Sequence, residues 1–192
     1  VLATGFAIFA GFVVFLAFAS YDQSRSGAER EALAVIQQYE TAQFLPENVR
    51  GPLGSELVCY GRYVVGQEWL AMGSGRVDDT INPWALALFR TLQPVEPESA
   101  AQEAAYGKWL DQTSDREEAR RDRIHGASGI IPTSVWLVLF LTGIVVFAFM
   151  LFFADSAERR RSQAMLIGSA TTVLVATLLV INALDNPYGG DV

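Results

Sequence analysis

Charged side chains disappear from three stretches of this chain, residues 1–21, 126–154 and 162–184, and gather between and after them. About 20 apolar residues rising 1.5 Å each cross a hydrocarbon core of roughly 30 Å, so each stretch is long enough to span a bilayer. Three such runs would be very unusual in one soluble domain of this size, and they predict three transmembrane helices. Along the first, Ala3, Ala7 and Gly11 lie four apart and form a smooth stripe on which another helix can pack closely. Phe6, Phe9, Phe12, Phe15 and Phe18 recur every three residues, so their row winds slowly round the helix and leaves the small stripe free.

Between Tyr21 and Leu45 there is no proline, and Gly27 is the only glycine. Leu33, Ile36 and Tyr39 keep helical spacing, so span one is expected to continue as one long helix up to Pro46. Pro46 suits the first turn of a second helix, whose apolar face is Val49, Leu53, Leu57, Tyr60 and Val64. Gly51, Gly54, Gly61 and Gly66 weaken that helix by about 1 kcal/mol each relative to Ala, which implies neighbours that approach closely. Gly73-Ser74-Gly75 ends it. Asn82-Pro83 is a cap with a first-turn proline, opening a short helix through Trp84, Leu88 and Leu92. Ser99 with Gln102 makes a capping box for a last helix reaching about His125. Gly126, Gly129 and Pro132 break the chain before span two.

The expected fold is therefore all-α and integral to the membrane, with three spans and a helical extramembrane domain between the first two. Its parts are span one (1–21), the extramembrane domain (22–129), span two (130–154), a short basic turn (155–163), span three (164–184) and a tail (185–192). Val1 opens inside an apolar run without Met, which reads as a processed or partial chain. Ala17-Phe18-Ala19 has the small-x-small look of a signal-peptidase site, but the run lacks a basic start and is too long for a signal peptide.

Charge adds sidedness. The net charge of −7 arises mainly from residues 22–125, where 17 acidic and 11 basic groups give −6 (11 minus 17). An acidic surface argues against nucleic acid as a partner. Arg159, Arg160 and Arg161 in a short turn favour its retention in the cytoplasm, which puts residues 22–129 on the opposite side. Tyr21, Trp136 and Tyr188 fall at that second interface. Arg116, Arg120, Arg121 and Arg123 point the other way, but they are interleaved with acids, and long domains are largely exempt from the rule.

Candidate chemistry is sparse. His125 is the single histidine, so no His-based triad or multi-His metal site can be built; it is either an axial ligand for a pigment or haem, or a helix-end residue favoured by the dipole. Cys59 stands alone and reads as a small packing residue. Asp78-Asp79, and Asp185 with Asp191, are either loose cation contacts or ordinary turn residues. Arg116, Arg120, Arg121 and Arg123 form either a solvated face of i,i+4 pairs or an anchor for lipid headgroups. None of the spans contains Asp, Glu, Lys, Arg or His, against the habit of proton relays and coupled transporters. Neither a metal nor a cofactor is expected, and no enzyme activity.

Three short stretches carry a family resemblance: Glu68-Trp69-Leu70-Ala71-Met72; Ala119-Arg120-Arg121-Asp122-Arg123, leading through Gly129 and Pro132 to Trp136; and the close Leu184-Asp185-Asn186-Pro187-Tyr188-Gly189-Gly190. The chain resembles the bacterial bestrophin-like membrane proteins, whose function is unknown, and this implies the bacterial inner membrane. Such proteins usually have four spans, so the resemblance aligns Val1 with the second. True bestrophins are pentameric anion channels with an apolar neck, for which Phe6, Phe9 and Phe12 are the matching candidates. They keep the region between spans two and three in the cytoplasm, opposite to the charge pattern here, and no acidic calcium clasp is matched. Two functions follow: a non-enzymatic structural or accessory subunit that meets other membrane-protein chains, or an oligomeric bestrophin-like ion channel.

Overall fold

The computed structural model describes residues 2–76, 81–152 and 160–189, so Asp78, Asp79, Asp191 and the turn at 155–159 lie outside the described residues. In order these form α1 (Leu2–Ala42), α2 (Glu47–Tyr63), a π-helical turn (Val64–Glu68), α3 (Trp69–Gly73), α4 (Pro83–Leu92), α5 (Ala100–His125), a 3₁₀ turn (Gly126–Ser128), α6 (Thr133–Phe152) and α7 (Arg160–Asp185). The fold is all-α, and α1, α6 and α7 are long and apolar enough to cross a membrane. The chain divides into two compact units, one of residues 1–21 with 129–186, the other of 22–128 with 187–192.

α1 runs unbroken into the second unit, as the missing prolines predict. Its buried residues are Ala10, Val13, Ala17, Ser20, Ser24, Gly27, Glu31, Ala34 and Gln38, alternating three and four apart. That average of 3.5 is the seam of a helix packed along its length against neighbours. The predicted stripe of Ala3, Ala7 and Gly11 is a different face, exposed within this chain.

In the membrane unit, Ala10 and Val13 of α1 pack with Leu139 of α6 and Ile181 of α7. Gly143 lets the Leu174 side chain lie where a Cβ would be 3.5 Å away. Phe6 and Phe9 are partly buried against this cluster, while Phe12 is 59% exposed.

In the extramembrane unit, α5 carries its own 3–4 ladder: Ala105, Trp109, Gln112, Arg116, Ala119 and Arg123. It lies antiparallel to α1, since Gln38 donates to Thr113 at 2.8 Å and Gln23 to Asp122 at 2.9 Å. Gly27 permits the close crossing, because a Cβ there would stand 2.5 Å from the backbone nitrogen of Arg123. Leu45, Val49, Leu53, Leu57, Leu88, Leu92 and Trp109 form the apolar core. Burying each such side chain contributes roughly 1.5–3 kcal/mol. The predicted α2 face is buried through Tyr60, after which the helix widens into the π turn. Asn82 caps α4 by accepting from the Trp84 N–H at 3.0 Å, and Ser99 accepts from Gln102 N–H at 3.2 Å. The Gln102 side chain accepts from the Glu98 N–H rather than that of Ser99, so the capping box closes one residue early.

Candidate functional site

The four arginines of α5 have different surroundings, and the ladder explains why. Arg116 and Arg123 occupy ladder positions and are 1% and 0% exposed; Arg120 lies beside the ladder and is partly buried; Arg121 points to solvent. Arg116 and Arg123 therefore belong to neither a solvated face nor a headgroup anchor, a correction whose cause is the 3–4 repeat that turns them inward. Arg121 alone keeps the exposure that a headgroup contact needs.

Arg123 is held between two carboxylates. Its guanidinium donates to both oxygens of Glu31 and to Oε2 of Glu68, and lies 3.4 Å from the sulfur of Met72. Arg120 donates twice to Glu68 Oε1, at 3.2 and 3.1 Å. The Tyr60 hydroxyl donates to Glu31 Oε1 at 2.6 Å. The π turn matters here, because its wider spacing aims Glu68 into the unit, where it is 3% exposed.

Burial works to lower the Arg123 pKa, but the hydrogen bonds and charge of Glu31, then those of Glu68, outweigh it and raise it above the ordinary arginine value. Burial pushes the Tyr60 phenol up as well, with the negative charge of Glu31 acting in the same direction. Arg116 has its guanidinium carbon 4.8 Å from the centre of the Tyr60 ring, and donates to Gln38 Oε1 at 2.7 Å. Its pKa is lowered by burial, and its Nε has no partner. Three arginines against two glutamates leave the cluster at +1 (3 minus 2).

The tail reaches the same cluster. Tyr188 donates to the Arg123 carbonyl at 2.7 Å and meets Trp69 edge to face, with ring centres 5.3 Å apart. In the membrane unit, the buried Asp185 at the end of α7 accepts from the N–H groups of Ile130 and Ile131, at 2.7 and 2.8 Å. Its second oxygen accepts from Trp136 Nε1 at 3.1 Å. Asp185 is thus a capping ligand for backbone, not part of an open cation loop.

Glu31, Tyr60, Glu68 and Tyr188 escaped the sequence reading as a site. Glu31 had one available signal: it is the only carboxylate in a ladder otherwise made of small or neutral residues. His125 is exposed at the end of α5. No group of three or more His, Cys, Asp or Glu side chains suited to a metal occurs among the described residues. The buried carboxylates are saturated by arginine and tyrosine donors, so the cluster orients helices and presents no free base or nucleophile.

A family model described as Bestrophin-like domain matches residues 1–192, the whole chain. No curated protein matches, and no solved structure does. The three stretches that carry the resemblance supply Glu68, Trp69, Met72, Arg120, Arg123, Trp136, Asp185 and Tyr188, the polar and aromatic contacts just described.

Arg123→Met should destabilise the protein by about 3–5 kcal/mol, since it strands Glu31 and Glu68 without their shared cation. Arg121→Met, at an exposed position, should stay within about 0.5 kcal/mol. Denaturant unfolding in detergent solution compares the two, and equal losses would show that the buried pairing contributes nothing special.

Proposed function

We propose that this chain, which belongs to the bestrophin-like family, is a non-enzymatic integral membrane protein serving as a structural or accessory subunit of a larger membrane complex. One observation carries the reading. Ala3, Ala7 and Gly11 line an open apolar groove of 590 Å³ within the membrane unit, together with Val146, Phe147 and Leu174. A Cβ on Gly11 would meet nothing within 4 Å, so its absence serves no packing inside this chain. Small residues on a lipid-exposed helix face favour close approach by another helix, where van der Waals contact drives association in the bilayer. The partners of this reading are the bilayer and other membrane-protein chains, in a hetero-complex or homo-oligomer. Nucleic acid is excluded as a partner on the acidity of residues 22–125.

The stripe makes a clean test possible. Gly11→Leu fits the chain itself, yet it should strip the protein from its complex in mild detergent more completely than Leu16→Ala does. Leu16 is 46% exposed and only loses bulk. Equal recovery of the complex from both variants, at matched expression, would mean that the stripe faces lipid.

The sidedness in this reading places residues 22–129 outside the cytoplasm of a bacterial inner membrane and 155–161 inside, on the strength of Arg159, Arg160 and Arg161. In a Cys59→Ala background, Ser74→Cys should react with an impermeant thiol reagent on intact cells while Ser162→Cys stays protected. The opposite pattern reverses the orientation.

A second reading, an oligomeric bestrophin-like ion channel, is favoured by the outward Phe12, Phe15 and Phe18, which are 59%, 64% and 55% exposed. An apolar constriction gates by dewetting, so Phe12→Ser in reconstituted bilayers would raise the conductance of a channel well above wild type. As a structural subunit the protein conducts in neither form. A wild-type current that grows in the variant replaces the first reading by the second.

A further inference from the structure

The extramembrane unit has glycines that its own packing does not use. Gly51 and Gly61 lie inside α2, and a Cβ on either would meet nothing within 4 Å, whereas a Cβ on Gly54 would stand 3.1 Å from the Tyr39 ring. Glycine weakens a helix interior, and open space around it offers nothing in return unless a neighbour from outside the chain comes close. Both line one face, a seam between α1 and α2 that holds two adjoining hollows of 300 and 370 Å³. Along α1 the seam extends from Ala28 to Gln43, or about 22 Å at 1.5 Å per residue. Ile36, Val58 and Val65 border it at 54%, 50% and 70% exposure.

A matching ridge sits on the same unit. α4 buries Leu88 and Leu92 and leaves Leu86 and Phe89 outward, 43% and 59% exposed. Its ten residues are about 15 Å long and fit within the seam. Helical geometry puts ridge and groove on opposite flanks of α2. Glu56 accepts from Thr91 of α4 at 2.7 Å, while Gly51, Val58 and Val65 lie about half a turn or more round the α2 axis from Glu56. Charge sets the direction: Arg90 flanks the ridge, Glu40 the α1 wall and Arg62 the α2 wall, and none of the three forms an ion pair among the described residues. Only the orientation that brings Arg90 to the α1 wall pairs opposite charges.

We propose that the α1–α2 seam is a docking groove for the α4 ridge, Leu86 and Phe89, of a second copy of this chain. Groove and ridge are different surfaces, so the contact is head to tail and each copy keeps one of each free for the next. The contact lies wholly outside the membrane unit and does not depend on the Gly11 stripe.

The full chain in native membranes, in a Cys59→Ala background, tests this with two singly substituted forms, Val58→Cys and Phe89→Cys, carrying different tags. Mild oxidation should give a mixed disulfide dimer when they are co-expressed, and several-fold less when either is expressed alone. Gly61→Leu added to the Val58→Cys form should cut that yield at least fivefold while leaving the unfolding midpoint unchanged or higher, since the added side chain meets no atom of its own chain. A cross-link mainly between like forms, or one indifferent to Gly61→Leu, overturns the proposal. So does recovery of the Val58→Cys form only in disulfide with a different protein, which would make the groove a site for a foreign helix.

Discussion

A guanidinium sealed from water between two carboxylates tolerates little slack, and the extramembrane unit is arranged around that demand. Charges taken out of water are worth burying only when geometry and hydrogen bonding are nearly complete. Arg123 meets the requirement by drawing on three separate pieces of chain: Glu31 from α1, Glu68 from the π turn, and the Tyr188 hydroxyl at its own carbonyl. Each partner fixes a helix in rotation as well as in distance. Gly27 then allows α1 and α5 to come close enough for the short glutamate side chain to reach. Apolar burial around Leu53, Leu57 and Trp109 supplies cohesion, but it would accept several helix rotations. The ion cluster selects one.

The membrane unit solves a different problem. With lipid around it, apolar side chains gain little from turning inward, so the helices meet where bulk is low: Ala10, Val13 and Ala17 on α1, and Gly143 on α6. The chain entering α6 carries backbone N–H groups that need acceptors at the edge of the apolar layer. Asp185 supplies both, and its remaining oxygen takes the Trp136 indole, which fixes the end of α7 against the start of α6. A single carboxylate there does what several water molecules would do in a soluble loop.

Much of this was legible from the amino acids. Uncharged runs placed the spans, the lack of proline from Tyr21 to Leu45 gave α1 its length, and Asn82, Ser99 and Gln102 marked helix starts by local chemistry. The arginines of α5 were harder. Alternating charges at helical spacing look solvated, and only the 3–4 ladder, shared with α1 and visible once burial is known, separates Arg116 and Arg123 from Arg121. The π turn had no signature at all: Val64 to Glu68 reads as ordinary helix, and the widening appears only because Glu68 must reach Arg123. Tyr188 was foreseen as an interfacial aromatic, whereas its bond to Arg123 joins residues 65 positions apart and leaves no local trace.

The π turn also fixes how this stretch can drift in length. Its i→i+5 bonding accommodates one residue more than an α-helix would over the same rise, so α2 and α3 are out of helical phase by a single residue. Deleting any one residue from Val64 to Glu68 would let the segment relax to plain α-helix, and everything after it would rotate by about 100° relative to α2. Tyr60 and Trp69 could not then both keep their places. A homologue shorter by one at this point would thus need its acidic residue shifted one position along the chain, and the alignment would show a gap where the protein has an adaptation.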